Sequence, residues 1–505
     1  MIANSNNTVL ILGAGLGGLL CGALLSLEGL QVTVLEKNKQ IGGGLQSFGV
    51  DGKRFETAVH YIGSLGKGQT LYKIFDYVGL LEHLQLQQLD LDCFDEIHLG
   101  TEIFELAQGY DRFIQVLTQR FPDEEAGILN YIAEIKNVCE HFPLYNMRLG
   151  SLEEKQKVVG AGLKEILDKH FTHETIKQVL CGNNQLYAGD YETTPFYLHA
   201  LIVNSYIQGS FKCKEGSIQI ARQLQKIIES HQGKVIRNQH VIEIQEQGGN
   251  VTNVLTKEGA NYQASIVISN IHPGQTYELL NSSLIRPVTK KRLRQTKHTA
   301  SAFMVNIALA PFKMNYRNRN IYFHKTPDVW RDLNGCVFET PNSYGIFFIQ
   351  DKLHPEFASG VSILTYLEDQ GLPALNTFRT TSERASRGEA YETWKSNYAN
   401  AIIEQVLSVL PELKEAQCAV ESCTPLTYRD YLNIPHGSMY GFQKNITDLA
   451  NTTFSTRTKL KNLFLTGQNI NLHGILGVSI TSILTVGDIV GLEYIVNKIN
   501  SHSQT

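Results

Sequence analysis

The chain has 505 residues, too many for one ordinary core, so two or three domains are expected. With 42% hydrophobic and 19% charged residues it groups with globular rather than disordered chains. A net charge of −4 gives no electrostatic case for nucleic acid, and eight cysteines without a C-x-x-C pair read as buried thiols in a reducing compartment.

The first apolar run, Thr8-Val9-Leu10-Ile11-Leu12, has the character of a buried parallel strand. It opens onto Gly13-Ala14-Gly15-Leu16-Gly17-Gly18, a G-x-G-x-x-G pattern, and "LLCGALLSLEG" behind it reads as a helix. Gly13 allows a tight turn, Gly15 lets a pyrophosphate approach the backbone, and Gly18 lets helix and strand pack closely. Leu16 and Gly17 belong to the same turn, where the positive helix end would carry the pyrophosphate. Val9 to Leu27 is 19 residues without a charge, long enough to span a membrane. However, "MIANSNNT" before it carries no Lys or Arg, and lipid does not require an ordered glycine pattern, so a strand, turn and helix are expected instead. A second strand, Gln31-Val32-Thr33-Val34-Leu35, ends in Glu36, 18 residues past Gly18, where a carboxylate can accept from a ribose hydroxyl. Lys37 adjoins it, and Gly42-Gly43-Gly44 with Leu45 follows, suited to close approach of backbone amides to the same diphosphate or a ribityl chain.

Residues 66 to 230 hold helical patterns such as "TLYKIFDYVGLLEHL" and "EEAGILNYIAEIKNVCEHF". From Gly233 to Asn270, alternation around Gly248-Gly249 and Gly259 reads as a run of antiparallel strands followed by the apolar strand Ala264 to Ser269, with the Val241 backbone placed to meet an adenine. Residues 296 to 425 mix strands ("SAFMVNIALA", "SYGIFFIQ", "GVSILTYLE") with a helix near 383 to 410. At the far end, Leu463 to Thr466 is a short strand, Gly467 and Gln468 lie at its turn, and a helix start near Gly474-Ile475-Leu476-Gly477 could aim amides at a flavin edge where negative charge collects. Two glycine-rich strand–turn–helix units at opposite ends of the chain imply that both meet on one cofactor.

Four blocks in order resemble the retinol saturase and carotenoid isomerase branch of the phytoene desaturase family: "GGGLQSFGVDGKRFETAVHYIG", "YLHALIVNSYIQGSFKCKEGSIQIARQL" (197–224), "SCTPLTYRDYLNIPHGSMYGF" (422–442) and "LFLTGQNINLHGILG". In such flavoproteins a Gly-Gly pair follows the ribose acid, so the resemblance implies FAD rather than NAD. Two departures are evident. Gly467-Gln468-Asn469 stands where the branch usually has Gly-Gln-Asp, and residues 144 to 170 are polar where retinol saturases carry an apolar insert. An amide can still donate to phosphate or ribityl oxygens; the polar insert argues against a strong membrane anchor.

The expected fold is α/β, with a Rossmann-type FAD-binding domain of amine-oxidase-like type and an interleaved α+β substrate domain. The FAD-binding part is assigned to 1–65, 205–295 and 455–505, and the substrate part with its helical cap to 66–204 and 296–454. The implied activity is FAD-dependent oxidoreduction at carbon–carbon double bonds of an apolar polyene or isoprenoid, most like a saturase. Alternatives are a carotenoid desaturase, a redox-neutral isomerase, a flavin amine oxidase or a non-catalytic lipid-binding flavoprotein. Saturation needs a proton beside the hydride, and Tyr61, His60 and Tyr187 are the first candidates to supply it. His199, Tyr206, His436, Tyr440 and His473 are further candidates, His473 also as a structural residue, and Tyr440 with Phe442 could form half of an amine cage. No metal spacing is present, the flavin link is expected to be noncovalent, no second dinucleotide site marks the electron donor, and the expected location is cytoplasmic with possible peripheral membrane contact.

Overall fold

The computed structural model describes residues 7–331, 340–367 and 387–503. Cys336 and residues 383–386 of the expected helix lie outside the described residues; so does Glu368 at the end of a predicted strand. The remaining seven cysteines are all unbonded.

A five-stranded parallel sheet holds the two ends of the chain together. Its order is Lys234–Ile236, Gln31–Leu35, Thr8–Leu12, Ile266–Ser269 and Leu463–Leu465. Helix Leu16–Leu27 packs on it between helices Ile218–Ser230 and Gly474–Val490, and nearly all of its side chains are buried. The uncharged stretch from Val9 is thus a core strand and core helix; among the described residues no helix is long and apolar enough to cross a membrane.

One sequence expectation needs correction. The alternation from Gly233 predicts antiparallel strands up to the apolar strand at Ala264, yet Lys234–Ile236 pairs in parallel with Gln31–Leu35, Lys234 opposite Thr33. The physical reason is the amphipathic helix Ile218–Ser230 just before it, which packs against helix Leu16–Leu27 on one face of the parallel sheet and so delivers the chain to that sheet's edge beside Gln31–Leu35. Antiparallel pairing begins only at Val241–Gln247, against Asn250–Thr256 and then Asn261–Tyr262.

A seven-stranded mixed sheet faces the parallel one across a cavity. It runs Gln417–Cys423, Ser301–Leu309, Ala358–Leu367, Ser343–Gln350, Asn320–His324, Asp95–Leu99 and Glu102–Leu106. Ser301–Leu309 and Ala358–Leu367 are buried along their whole length, because helix Glu389–Val406 covers one face of this sheet. Helices Glu125–Glu140, Leu163–His170 and Phe196–Gln208 pack together as a cap, with period-3.6 apolar faces meeting at Tyr131, Ile135 and Leu167.

Candidate functional site

A cavity of about 560 Å³ lies between the two large sheets, within the range of small-molecule sites. Its first wall is mostly backbone. Gly13 has φ +97°, a left-handed turn that a side chain would strain, and its N–H donates to the Leu35 carbonyl at 2.8 Å. A Cβ at Gly18 would sit 2.1 Å from the Gly13 oxygen, so Gly18 lies beneath the cavity and serves the close packing of helix on strand. The glycine triplet docks directly on this turn: the Gly42 N–H donates to the Ala14 carbonyl at 2.8 Å, and a Cβ at Gly43, itself at φ +56°, would stand 3.3 Å from the Gly15 Cα. Gly15, Leu16, Gly17, Gly44, Leu45 and Val241 also line the space.

Glu36 lies at the carboxyl end of its strand on the same wall. Its carboxylate accepts from the Ala14 N–H at 3.0 Å and the Asn38 N–H at 2.9 Å, which fixes it facing the cavity. Burial raises its pKa, and the two amides oppose that rise. Lys37 donates through Nζ to the Asp430 carbonyl at 3.1 Å and so ties this corner to helix Pro425–Leu432.

The C-terminal unit meets the first. Gly467 and Gln468 line the cavity, as do Gly474 and Ile475 in the first turn of helix Gly474–Val490. Leu476 faces instead a small apolar side pocket, also lined by Leu186, Tyr206 and Gly474. Asn270, which sequence reasoning missed, links the two glycine turns. Its Nδ2 donates to the Gly13 carbonyl at 3.3 Å, and a Cβ at Gly17 or Gly467 would fall 2.7 or 2.6 Å from its Oδ1. Its available signal was its position: the first residue after a buried parallel strand, where α/β sheets place ligand groups.

The opposite wall is made of side chains. Asn320 and Tyr322, two residues apart on one strand, share a face with Asp95, which is in register with Asn320, and with Phe347, which pairs with Asn320 from the other side. The His60 ring stacks on Phe347 at 4.1 Å with an interplanar angle of 5°. Burial, then the Lys212 charge, push the His60 pKa down to about 3, so the ring is neutral, and its enclosed Nε2 has no partner among the described residues. Tyr61 lines the cavity and packs against Tyr206 at 4.5 Å; its hydroxyl donates to Asp95 Oδ2 at 2.9 Å and bonds the Tyr322 hydroxyl at 2.8 Å. Burial raises the Tyr61 pKa well above the phenol range.

The other sequence candidates are dispersed. Tyr187 does not line the cavity: it is fully buried, with its hydroxyl bonded to His199 Nδ1 at 3.0 Å, while His199 Nε2 takes Tyr131 at 2.6 Å. These three, with Cys181 beside Tyr187, form a buried hydrogen-bonded group away from the cavity. Tyr440 and Tyr206 do line the cavity. His473 holds the N-cap position of the C-terminal helix, packs its ring tilted against Tyr440 at 4.2 Å and bonds the Leu186 carbonyl at 3.1 Å. His436 lies 5.8 Å from His298, and Phe442 packs between His272, His298 and Phe454 rather than beside Tyr440, so the expected Tyr440–Phe442 pair does not form.

A flavin fits these walls. The glycine turns leave room only for a closely approaching backbone-bound group. Several buried polar atoms of lining residues have no partner among the described residues: His60 Nε2, both Gln185 amide atoms, Ser438 Oγ and Asn469 Oδ1. Such orphaned groups are costly unless a ligand satisfies them. The sequence model of the family described as flavin containing amine oxidoreductase matches residues 16–310, more than half of the chain. The chain belongs to that family.

Two curated relatives are all-trans-retinol 13,14-reductases. That of Danio rerio is 26% identical, over 95% of this chain and 85% of its own, and that of Rattus norvegicus is 28% identical, over 92% and 83%. The retinol saturase-like resemblance is thus met over nearly the whole length. An oxidoreductase from Methanosarcina mazei shares the fold, with a TM-score of 0.63, 15% identity and coverage of 94% of this chain and 99% of its own.

Proposed function

We propose that the cavity holds noncovalent FAD and that the protein reduces carbon–carbon double bonds of an apolar, retinoid- or carotenoid-like polyene. Glu36 would take the ribose hydroxyls, Gly13 to Gly17 and Gly42 to Gly44 the diphosphate, Gln468 and the amides from Gly474 the ribityl and ring edge. The two glycine units that line the cavity come from stretches assigned to an FAD domain at 1–65, 205–295 and 455–505, with the seven-stranded sheet and helical cap forming the substrate domain. A bound reduced flavin supplies hydride to one carbon of the double bond.

What this chain's own residues add is a proton and a dry space. The observation that carries the reading is the Tyr61–Tyr322 hydroxyl pair, 2.8 Å apart, on a cavity wall that also carries the apolar side chains of Phe347, Leu364 and Met439. Apolar side chains exclude water and accept a polyene; Tyr61 supplies the proton for the carbon opposite the one receiving hydride, directly or through the Tyr322 hydroxyl it bonds. Neutral His60 suits a hydrogen bond to the cofactor better than proton donation. The Tyr440–Phe442 pair of the amine-oxidising alternative is not assembled, since Phe442 lies away from Tyr440. The assignment to the cytoplasm, with peripheral membrane contact to collect the substrate, and the need for an external two-electron donor belong to the same proposal.

Anaerobic mixing separates the classes. Reduced protein should be reoxidised by polyenes, and oxidised protein should not be bleached by amines. Bleaching by amines, with no reoxidation by polyenes, overturns the proposal.

A further inference from the structure

Asp95 is fully buried directly behind Tyr61, yet it faces no cation at bonding distance. Oδ2 accepts from Tyr61 at 2.9 Å and from Asn183 Nδ2 at 3.1 Å, and Oδ1 accepts from Asn320 Nδ2 at 2.9 Å. Lys212, on strand Ser210–Cys213, is 7% exposed, and its Nζ has no hydrogen-bond partner among the described residues. An unpaired buried acid and an unpaired buried ammonium, both beside the cavity wall, are expensive to keep. The strand pairing of Asp95 uses only its backbone groups, so its carboxylate is not needed for the ladder itself.

We propose that Asp95, Tyr61 and Tyr322 form a switchable proton chain that stores a proton behind the cavity and delivers it to the substrate. The proposal rests on the saturase reading and deepens it.

Hydrogen-bond direction is the basis of the switch. With Asp95 ionised, the Tyr61 O–H points inward to the carboxylate and Tyr322 donates to the Tyr61 oxygen, so no hydroxyl hydrogen is directed into the cavity. With Asp95 protonated, its O–H donates to Tyr61, Tyr61 donates to Tyr322, and the Tyr322 hydrogen is turned into the cavity that this residue also lines. The 2.8 Å contact between the two hydroxyls allows either direction. During saturation the π bond takes hydride from reduced flavin at one carbon and a proton from this chain at the other. Each hydroxyl passes one proton along, Asp95 is left as carboxylate, and the flavin is left oxidised. One proton from solvent then restores the acid. Asp95 acts through the tyrosines and is a positioning residue.

The environment sets when the store is full. Burial raises the Asp95 pKa to about 6, against the opposing pull of Asn320, Asn183, Tyr61 and Lys212. The other ionisable groups around it are Tyr206 on the cap helix, Cys93 on the preceding loop, and Glu96, which is turned away onto Arg319 at 2.9 Å and His98 at 3.1 Å. The sign follows: the chain points into the cavity below this pKa and away from it above, so saturation slows as pH rises.

Infrared difference spectroscopy of the flavin-loaded protein, titrated between about pH 5 and pH 8, tests storage without any substrate. A protonated-carboxyl band should appear on acidification through about 6. It should be missing in Asp95→Asn and move to higher pH in Lys212→Met, which leaves Asp95 in place should the first variant fold poorly. In parallel, polyene-driven reoxidation of the wild type should fall roughly tenfold per pH unit above that pKa. In Asp95→Asn and Tyr322→Phe it should be slow and lose this dependence, with flavin content unchanged. A carboxyl band identical in wild type and Asp95→Asn, or a reoxidation profile that none of the variants alters, overturns the chain. If the band titrates as described but no polyene reoxidises any of the proteins, the saturase reading fails while proton storage at Asp95 stands.

Discussion

The cavity wall contributed by the five-stranded sheet is built mainly from backbone, with Gly13, Gly15, Gly42, Gly43 and Gly467 meeting edge to edge. The wall contributed by the seven-stranded sheet is built from side chains, Tyr322, Phe347 and Leu364, with Asp95 behind them and Tyr61 between. A backbone wall recognises what every dinucleotide has in common, a diphosphate and a ribose, and tolerates no added atoms. A side-chain wall sets which substrate is accepted and how protons move, and its parts can be exchanged one at a time. Variants on the first wall should therefore abolish binding, whereas variants on the second should leave the cofactor bound and alter the chemistry.

The largest expected effect is on the backbone wall. Gly15→Val puts branched carbon where even a Cβ lies 2.9 Å from Asn270 Nδ2, and Gly43→Val adds strain at a positive φ. Both proteins should purify colourless, as absorbance spectra will show; a yellow protein with normal flavin content breaks the contrast between the walls.

Tyr61→Phe comes next. It keeps the ring against Tyr206 and removes one hydroxyl, so flavin content should stay normal while reoxidation by substrate slows by ~10²–10⁴-fold. Loss of flavin instead would make Tyr61 part of the cofactor cradle.

Glu36→Gln should be intermediate. Removing a charged acceptor of ribose hydrogen bonds costs about 1.5–3 kcal/mol, or roughly 10- to 100-fold in flavin affinity by equilibrium dialysis. An unchanged affinity would remove Glu36 from the ribose site.

Tyr187→Phe should do least to catalysis. Its hydroxyl serves His199 and Cys181 away from the cavity, so the rate should be unaltered while stability falls by about 1–3 kcal/mol in denaturant titration, from a buried imidazole losing a partner. A large rate loss would bring Tyr187 back as a proton donor.

The same contrast explains what could be read from the sequence. Glycine spacing is a local signal, because each glycine answers a constraint set by residues next to it or one strand away. Gly13, Gly18, Glu36 and the triplet at 42–44 were therefore legible, as was the C-terminal helix start at Gly474. The side-chain wall is assembled across the chain: Tyr61 meets Asp95 and Tyr322, and Asp95 meets Asn183, at separations that no periodicity records. Tyr61 stood out as the last titratable residue of a recognisable block, whereas Asp95 sits in "CFDEIHL", which reads as an ordinary strand. Lys234–Ile236 was misassigned for a related reason: three residues cannot reveal which sheet they join, and only the helix before them decides it.

The most direct test of the central claim is the visible absorbance of the flavin during anaerobic mixing of the reduced protein with an all-trans polyene alcohol. The account predicts return of the oxidised flavin spectrum with equimolar formation of a product carrying two more hydrogens, and a slower return in Tyr61→Phe at equal flavin content. A flavin that stays reduced in the presence of every polyene tested, or product formed with no change in flavin oxidation state, would contradict it.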